Sequence, residues 1–367
     1  MKHLVLVIAL ILAAAPFAQP AVDMTWRPAY QVVHEGDSVE VGIVLVNDSV
    51  NTQPISALDA IIFYDPDYLG FYDLVSAGAP YDWFLDGFFS PSTDGINDNI
   101  DDGDMLYTAY AQLGIPAYVT KSGLLVTTFR FFALQPACKT VIAMPPTYGT
   151  WGKTRVFDGT IPNIEVTGKL GQAVIKIVRS GVLTSVAEAK RLADGSPAFE
   201  LEGPIVTRTF DNFFYVEDFD RAAGIRVNCD PSKLPAEGAA PLIVGTISTS
   251  ADGERVINAV NVGQGCPVPM PNALGMNVRA TKIGLSSVGL LVCVSGRVAA
   301  VDPDGGGFTI RDGSFLPTGE EVTIKVKLYC GTSAPELGKF VTVRGAMGID
   351  SDGKVLRVGK QSDITAY

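Results

Sequence analysis

Apolar and polar residues alternate along the early part of this chain. In the stretch GDSVEVGIVLVND, Val39, Val41 and Ile43 are separated by polar or small residues. Period-two alternation predicts a β-strand with one face in the core and one face in water. Helical periodicity is nearly absent from the sequence, so we expect an all-β protein.

A longer apolar run follows at 55–64 and is broken by the turn Asp65-Pro66-Asp67. Proline lacks an amide hydrogen and aspartate caps its own turn, so the strand must end or bend there. A strand pattern resumes at 69–75. The expected order is therefore a strand, a long bent strand and an edge strand.

Four segments between Met24 and Ile177 carry a family resemblance: GDSVEV, FYDPDYLGFYDL, GLLVTTFRFFAL at 123–134 and VTGKLGQAVIKI at 166–177. In these segments the chain resembles cohesin modules, which hold dockerins, and the carbohydrate-binding modules of the same superfamily. The resemblance implies a cohesin-like jelly-roll or β-sandwich. These segments are packing and turn signals, and a fold by itself does not fix a ligand.

The second half of the chain contains two similar sets of short strands. In each set a glycine of the first strand precedes an aromatic second strand, and Gly245 and Gly345 each precede an Asp-Gly pair by seven positions. Glycine in a strand marks a bend, and Asp-Gly suits a tight hairpin turn. Five short strands with this pattern resemble the OB-fold, so we expect two small OB-like β-barrels.

The chain is expected to divide into four parts. These are a signal peptide (1–21), a cohesin-like β-sandwich (22–178), OB-like barrel 1 (184–264) and OB-like barrel 2 (275–367). The signal peptide is predicted because a short basic start precedes an apolar run that is too short to span a membrane, and small residues follow at Ala18 and Ala21. We therefore expect a secreted or cell-surface protein without a transmembrane segment in the mature chain.

The five cysteines are expected to pair in an oxidising compartment. From their places relative to the strands we predict the bonds Cys229–Cys266 and Cys293–Cys330, with Cys138 free. Connectivity does not follow from sequence alone, so other pairings stay open.

The net charge of −11 is concentrated in the sandwich. Residues 22–179 contain 15 Asp and 3 Glu against 5 Lys and 4 Arg, which gives −9. Neither half has the basic surface that a nucleic-acid backbone requires, so no nucleic-acid partner is expected. We also expect the sandwich to fold alone, because few of its sequence features require contact with the barrels.

Catalytic residues are not indicated. The mature chain contains one histidine, His34, in a predicted surface turn, and no nucleophile motif accompanies it. A glycosidase needs only two carboxylates, but no pair stands out. We predict that the protein is not an enzyme.

An acidic run, TDGINDNIDDGD, begins at Asp94 and contains the carboxylates Asp98, Asp101, Asp102 and Asp104. Oxygen ligands at this density could hold Ca²⁺ outside the cell, although the spacing does not fit an EF-hand. The alternative is a solvated loop with Asx turns. No other cofactor is expected.

Two aromatic clusters are candidate ligand sites. In PYDWFLDGFFS, Trp83 is the aromatic residue most expected to be exposed, with Tyr81 beside it, and both could stack on sugar rings. The alternative is that this cluster caps the sandwich core. In barrel 1, Phe213 and Tyr215 flank Phe214 on the opposite face of a strand and are candidates for stacking on a ligand.

The sequence thus indicates an exported, non-catalytic binding protein. By resemblance, its partner is a dockerin-like extracellular protein or a polysaccharide, in polysaccharide catabolism or surface organisation. The alternative is a structural cell-surface protein whose domains act as spacers and bind no small ligand.

Overall fold

The computed structural model describes residues 21–47, 49, 51–75, 81–89, 95–150, 152–160, 162–284 and 286–367. It confirms the all-β expectation, since the α-helices in these residues are short: α1 (Val186–Arg191) and α2 (Val278–Lys282). Single 3₁₀ turns span Pro231–Lys233 and Gln361–Asp363. Most of the predicted signal peptide, including Ala18, lies outside the described residues.

The first half forms a β-sandwich. Its strands are β1 (Val22–Arg27), β2 (Tyr30–His34), β3 (Ser38–Asn47), β4 (Gln53–Ile55), β5 (Ala57–Phe63), β6 (Leu69–Val75), β7 (Leu85–Phe88), β8 (Asp104–Tyr110), β9 (Ala117–Val119), β10 (Leu124–Ala133), β11 (Ala137–Ala143), β12 (Thr147–Tyr148), β13 (Gly152–Lys153), β14 (Arg155–Phe157), β15 (Thr167–Leu170) and β16 (Gln172–Val178). One sheet has the order β15-β1-β3-β10-β6, and the facing sheet has the order β2-β16-β11-β5-β8-β7, with β14 paired to β5.

The predicted alternation sets the core face of the sandwich. Val39, Val41 and Ile43 of β3 are all fully buried. The bend after β5 is closed by the amide of Leu69, which donates to the carbonyl oxygen of Asp65 at 3.0 Å. Strand β6 then lies at the edge of its sheet, beside β10. The predicted edge strand is therefore present, but the predicted long bent strand is divided into β4 and β5, and the chain passes to the other sheet at β6.

The second half forms two barrels. The strands of barrel 1 and the segment after it are β17 (Phe199–Glu202), β18 (Ile205–Thr209), β19 (Phe213–Glu217), β20 (Gly224–Asn228), β21 (Ala239–Ala240), β22 (Leu242–Thr249), β23 (Arg255–Val262) and β24 (Cys266–Pro267). Those of barrel 2 are β25 (Leu274–Met276), β26 (Leu291–Val301), β27 (Gly307–Phe315), β28 (Glu321–Leu328), β29 (Phe340–Asp350), β30 (Gly353–Val358) and β31 (Ile364–Ala366).

Both barrels have the strand order of an OB-fold. Barrel 2 runs β26-β27-β28-β30-β29 and closes by pairing β29 with β26, and its third and fifth strands are parallel. Barrel 1 runs β18-β19-β20-β23-β22, again with a parallel third and fifth strand. Its first strand is split, so that β17 pairs with β22 while β18 pairs with β19.

The glycines that suggested a repeat occupy matching positions in the fourth strands. A Cβ at Gly245 would lie 2.5 Å from the carbonyl oxygen of Asn258, and a Cβ at Gly345 would lie 2.5 Å from that of Arg357. Both distances are shorter than a van der Waals contact. Glycine therefore permits the close strand approach that a small, tightly curved barrel needs.

The sandwich is in close contact with barrel 1, contrary to expectation. Lys176 of β16 is 1% exposed, and its Nζ donates to the carbonyl oxygen of Ala240 at 2.8 Å and pairs with Glu202 at 2.9 Å. Tyr30 is also buried there, and its hydroxyl donates to the carbonyl oxygen of Gly203. A charge taken out of water needs such partners, so this junction is a specific packing contact.

Candidate functional site

The aromatic segment 81–89 of the sandwich has a buried part. Trp83 is 9% exposed and lies in the sandwich core, where its Nε1 donates to the carbonyl oxygen of Val126 at 3.2 Å. Tyr81 is half-buried and packs on Trp83, with ring centroids 4.8 Å apart. The expectation that Trp83 is exposed is therefore wrong. Its ring can be buried because the indole N–H finds an acceptor inside the core.

The same segment contributes to an exposed apolar surface. This apolar patch consists of Phe84, Leu85, Tyr110, Leu113 and Ile115. Phe84 is 74% exposed and Leu113 is 95% exposed. Most of the patch, with residues 111 and 112, lines a cleft of about 500 Å³. Contiguous apolar surface of this kind marks interaction sites in soluble proteins.

Strand pairing and the hydroxyl group of Tyr81 position the patch. Strand β7 is the edge strand of its sheet, and Leu85 pairs with Tyr110 of β8. The following loop turns where the amide of Ile115 donates to the carbonyl oxygen of Gln112 at 2.9 Å. The hydroxyl of Tyr81 donates to the carbonyl oxygen of Ile115 at 2.7 Å. Tyr81 therefore positions the loop that presents Leu113.

Two acidic residues of segment 81–89 are neighbours in sequence of the patch residues Phe84 and Leu85. Asp82 and Asp86 are both exposed, and Asp86 accepts a hydrogen bond from the hydroxyl of Tyr107 at 2.8 Å. Burial, and then the Asp86 carboxylate, raise the pKa of Tyr107 well above its ordinary value, so this hydroxyl remains a donor. The patch combines the aliphatic side chains of Leu85 and Leu113 with the rings of Phe84 and Tyr110. Mixed aliphatic and aromatic surface of this kind is suited to the apolar side chains of a protein.

The sequence pattern indicated this region, but the side chains predicted from it are not those of the exposed patch. The predicted residues are Trp83 and Tyr81, whereas the aromatic residues of the patch are Phe84 and Tyr110. Leu113 was missed. The signal that could have found it is an apolar residue next to the glycine of a turn, in the stretch QLGIP.

The aromatic strand of barrel 1 is buried between the two barrels. Phe213 is 4% exposed and Tyr215 is fully buried, so the expectation that they stack on a ligand is wrong. They form a cluster with Phe210 of barrel 1 and with Tyr329 and Ala346 of barrel 2. The face opposite Phe214 is therefore a contact between barrels.

A buried polar network accompanies this cluster. The hydroxyl of Tyr215 donates to Glu254 at 2.6 Å, and Arg357 of barrel 2 donates to the other oxygen of Glu254 at 3.2 Å. Burial is the main reason that the pKa of Tyr215 is well above its ordinary value. Arg208 of barrel 1 also pairs with Asp363 of barrel 2 at 2.8 Å. Together these contacts fix one barrel against the other.

Two carboxyl groups at the end of β19 have raised pKa values. Burial raises the pKa of Glu217 to about 7, and one of its oxygens accepts the amide hydrogen of Leu291 of barrel 2 at 2.6 Å. Burial raises the pKa of Asp218 to about 6, and this residue accepts the amide hydrogen of Val186 at 2.8 Å. Both carboxyl groups are thus part of the contacts around barrel 1.

The acidic run forms turns and not an ion cage. Asp98 and Asp101 lie in turns, where the amide of Asp101 donates to the side chain of Asn99. Asp102 accepts the amide of Asp104, and burial raises the pKa of Asp104 above its ordinary value. Among the described residues, no group of three or more His, Cys, Asp or Glu side chains is placed to hold a metal ion. Asp94 lies outside them. The arrangement therefore corresponds to the alternative of Asx turns.

The cysteine pairing differs from the prediction. A disulfide joins Cys138 of β11 to Cys266 of β24, and Cys229, Cys293 and Cys330 are free. The predicted Cys229–Cys266 and Cys293–Cys330 bonds are therefore wrong, and Cys138 is not free. The physical reason is that the sandwich packs against the segment after barrel 1, a proximity that strand positions within one barrel do not show.

His34 lies in a structural contact. It is the last residue of β2, and its Nε2 lies 2.9 Å from the carbonyl oxygen of Val182. Its Nδ1 lies 3.3 Å from Asp37. The ring is therefore held between the sandwich and the segment that leads to barrel 1.

Comparisons with known proteins return cohesin modules among the solved structures. A type I cohesin of Clostridium thermocellum, solved as a cohesin–dockerin complex, is 15% identical, with 43% of this chain and 99% of that chain covered and a TM-score of 0.33. A cohesin module of a family 33 glycoside hydrolase from Clostridium perfringens is 10% identical, with 44% and 100% covered and a TM-score of 0.32.

A type III cohesin from a cell-surface anchoring scaffoldin of Ruminococcus flavefaciens is 10% identical, with 44% of this chain and 89% of that chain covered and a TM-score of 0.32. No protein-family model matches the chain, and no curated protein matches it. The three solved structures named here are cohesin modules.

Proposed function

We propose that this protein is an exported, non-catalytic binding protein that holds a partner protein on the apolar patch of its sandwich. The observation that carries the proposal is the exposure of Phe84 and Leu113 over a cleft at the sheet edge. Burial of each such side chain is more favourable than its exposure to water by roughly 1.5–3 kcal/mol of free energy. A partner that covers them recovers this free energy.

The chemistry around the patch defines the partner. Its centre is aliphatic and aromatic, while Asp82 and Asp86 lie beside it and residues 22–179 carry a charge of −9. A partner with apolar side chains flanked by Lys or Arg complements this surface. A dockerin-like module is the partner class that we propose, because the sandwich resembles the cohesins that hold dockerins.

Export is the second part of the proposal. The disulfide between Cys138 and Cys266 is stable in an oxidising compartment, and the sequence begins with the pattern of a signal peptide. In the described part of the chain no helix is long and apolar enough to cross a membrane. These features support a place outside the cell or on its surface, where polysaccharide breakdown or surface organisation takes place.

The absence of a catalytic role is proposed on chemical grounds. His34 is the one histidine of the mature chain, and its ring nitrogens lie beside a backbone carbonyl and Asp37. Of the buried carboxyl groups with raised pKa values, Glu217 accepts a backbone amide of barrel 2 and Asp218 accepts one within barrel 1. These groups are occupied by structural hydrogen bonds, which supports binding as the activity.

The test uses purified residues 22–367 immobilised and exposed to the extracellular proteins of the source organism. The Phe84→Ala/Leu113→Ala variant removes the centre of the patch. The matched control, Tyr72→Ala/Leu134→Ala, removes two exposed apolar side chains from another part of the sandwich. We expect the wild type and the control to retain the same protein, and the patch variant to bind that purified protein at least tenfold more weakly. Equal binding by both variants would contradict the proposal.

A structural spacer is the second candidate, favoured by the rigid junctions. Lys176 ties the sandwich to barrel 1, and Arg357 and Asp363 tie barrel 2 to barrel 1. A spacer whose patch binds nothing would retain no protein in the capture experiment. That result would favour the spacer over the binding protein.

A further inference from the structure

Barrel 2 carries a row of exposed side chains across its outer surface. Arg311 of β27 pairs with Arg297 of β26, which pairs with Phe340 of β29. The amide of Tyr367 donates to the carbonyl oxygen of Phe340 at 2.9 Å, and the two rings lie 6.0 Å apart. Directly paired residues point to the same face of a sheet. Four residues from neighbouring strands therefore form one continuous row on the surface, which we name the outer row: Arg311, Arg297, Phe340 and Tyr367.

The outer row is open to solvent. Phe340 is 41% exposed and Tyr367 is 71% exposed. The side chain of Arg311 is 52% exposed, and Arg297 is exposed as well. Both arginines and Phe340 line a cleft of about 540 Å³. Two cations and the ring of Phe340 thus face the same ligand-sized space, and Tyr367 lies beside Phe340.

The two arginines lie directly opposite each other on neighbouring strands. Like charges directly opposite each other on neighbouring strands destabilise a sheet. Arg311 has an acidic neighbour in Glu321 at 3.4 Å, but this pair is exposed on both sides, and such pairs contribute little. Arg297 donates to the carbonyl oxygen of Gly338 at 3.1 Å. A carboxylate between the two guanidinium groups would satisfy both.

The other acid of the cleft is already occupied. Asp312 accepts the amide of Val278 at 2.8 Å and the amide of Ser314 at 3.0 Å. These hydrogen bonds are among the causes that hold its pKa below the ordinary value, so it stays an acceptor for its own loop. Its hydrogen bonds hold it in its own loop, and its negative charge remains in the cleft with that of Glu321.

Hydroxyl groups border the outer row. Ser295 pairs with Thr342, which pairs with Thr365 on β31. The hydroxyls of Ser295 and Thr342 lie 2.8 Å apart. This second row lies on the same face as the outer row, one pleat further along the strands. Ring faces, guanidinium groups and hydroxyls are the groups that recognise a sugar ring bearing a carboxylate.

We propose that the outer row of barrel 2 binds an acidic polysaccharide that carries uronic acid residues. The ring faces of Phe340 and Tyr367 cover sugar rings, and Arg297 and Arg311 hold the carboxylate. Nucleic acid fits this surface less well. Residues 275–367 carry 6 Lys and 5 Arg against 6 Asp and 3 Glu, a small positive balance next to an acidic barrel 1, while a phosphate backbone calls for several cations.

This site lies on a different domain from the apolar patch, so it stands independently of the partner protein proposed above. The two sites would join a protein partner to an acidic glycan. Loss of the protein partner in the Phe84→Ala/Leu113→Ala variant leaves glycan binding unchanged in this account. Failure of one proposal is thus distinguishable from failure of the other.

The test measures binding of purified residues 22–367 to polygalacturonate, with fully methyl-esterified polygalacturonate as the neutral control ligand. The variants are Arg297→Ala/Arg311→Ala and Phe340→Ala. The matched control is Lys327→Ala, which removes an exposed cation from β28 of the same barrel, outside the row. Near-ultraviolet dichroism of each variant checks that it is folded.

We expect the wild type and Lys327→Ala to bind polygalacturonate equally and the esterified polymer at least tenfold more weakly. Both row variants should bind polygalacturonate at least tenfold more weakly than the wild type. Equal binding of the two polymers, unchanged binding by the row variants, or no binding by the wild type would overturn the proposal. Single-stranded DNA bound as tightly as polygalacturonate would replace it with phosphate recognition.

Discussion

Two aromatic segments of similar composition differ in the exposure of their rings to solvent. The sandwich segment 81–89 leaves Phe84 in water, whereas the barrel 1 segment 210–215 places Phe213 and Tyr215 almost entirely out of water. The difference lies in what stands opposite each segment. Strand β7 is the edge of its sheet, while the outward face of β19 packs on barrel 2. Exposure is therefore set by the neighbouring domain and not by the composition of the segment.

The comparison also separates two uses of aromatic side chains. Between the barrels, Tyr215 and Glu254 make a network with Arg357 that fixes orientation. On the sandwich, Tyr81 uses its hydroxyl to support a loop, and the apolar side chains of that loop face outward. The first cluster stabilises the protein itself. The second is free to stabilise a complex.

The largest expected effect comes from the contrast between adjacent residues of the sandwich segment. Trp83→Ala removes a core ring and should lower the free energy of unfolding by roughly 3–5 kcal/mol. Phe84→Ala removes an exposed ring and should change it by less than about 0.5 kcal/mol. Urea denaturation of both variants measures the difference. Similar losses for the two variants would mean that Phe84 is part of the core, and the comparison would fail.

A smaller change in the free energy of unfolding is expected when the pH changes. The pKa of Glu217 is raised by burial from 4.5 to about 7. An acid whose pKa is higher in the folded chain stabilises the fold fully below its unfolded pKa and loses that contribution as the pH rises through the folded value. We expect the free energy of unfolding to fall by roughly 2–3 kcal/mol from about pH 4.5 to 7 because of this group.

The matching measurement is urea denaturation across that pH range for Glu217→Gln, with Glu336→Gln as the control at an exposed acid. Glu217→Gln should remove the part of the fall in stability that comes from Glu217, and the control should keep it. Asp218, whose pKa is raised to about 6, contributes in the same direction. A pH profile that Glu217→Gln leaves unchanged would show that Glu217 is ionised at the barrel contact.

Much of the fold was predictable because its signals are local. Alternation placed the core face of β3, a proline turn placed the bend after β5, and Gly245 and Gly345 marked the same strand in the two barrels. Each of these signals depends on a few neighbouring residues whose steric or hydrogen-bonding needs are general.

The rest depends on contacts between distant parts of the chain. The burial of Phe213 and Tyr215 requires barrel 2, and the bond between Cys138 and Cys266 crosses 128 residues. Period-two alternation indicates that two faces of a strand differ, but it does not tell what covers the second face. The same limit explains why Trp83 was preferred to Phe84 in the candidate site.

We have proposed that a partner protein docks on the apolar patch. Hydrogen–deuterium exchange of the wild-type chain, measured with and without the purified partner, locates the docking surface. We expect slower exchange on binding at 84–88 and 110–115, and no change at 213–217 of the barrel contact. Protection confined to barrel 1 or barrel 2, with the patch exchanging as in the free chain, would contradict it.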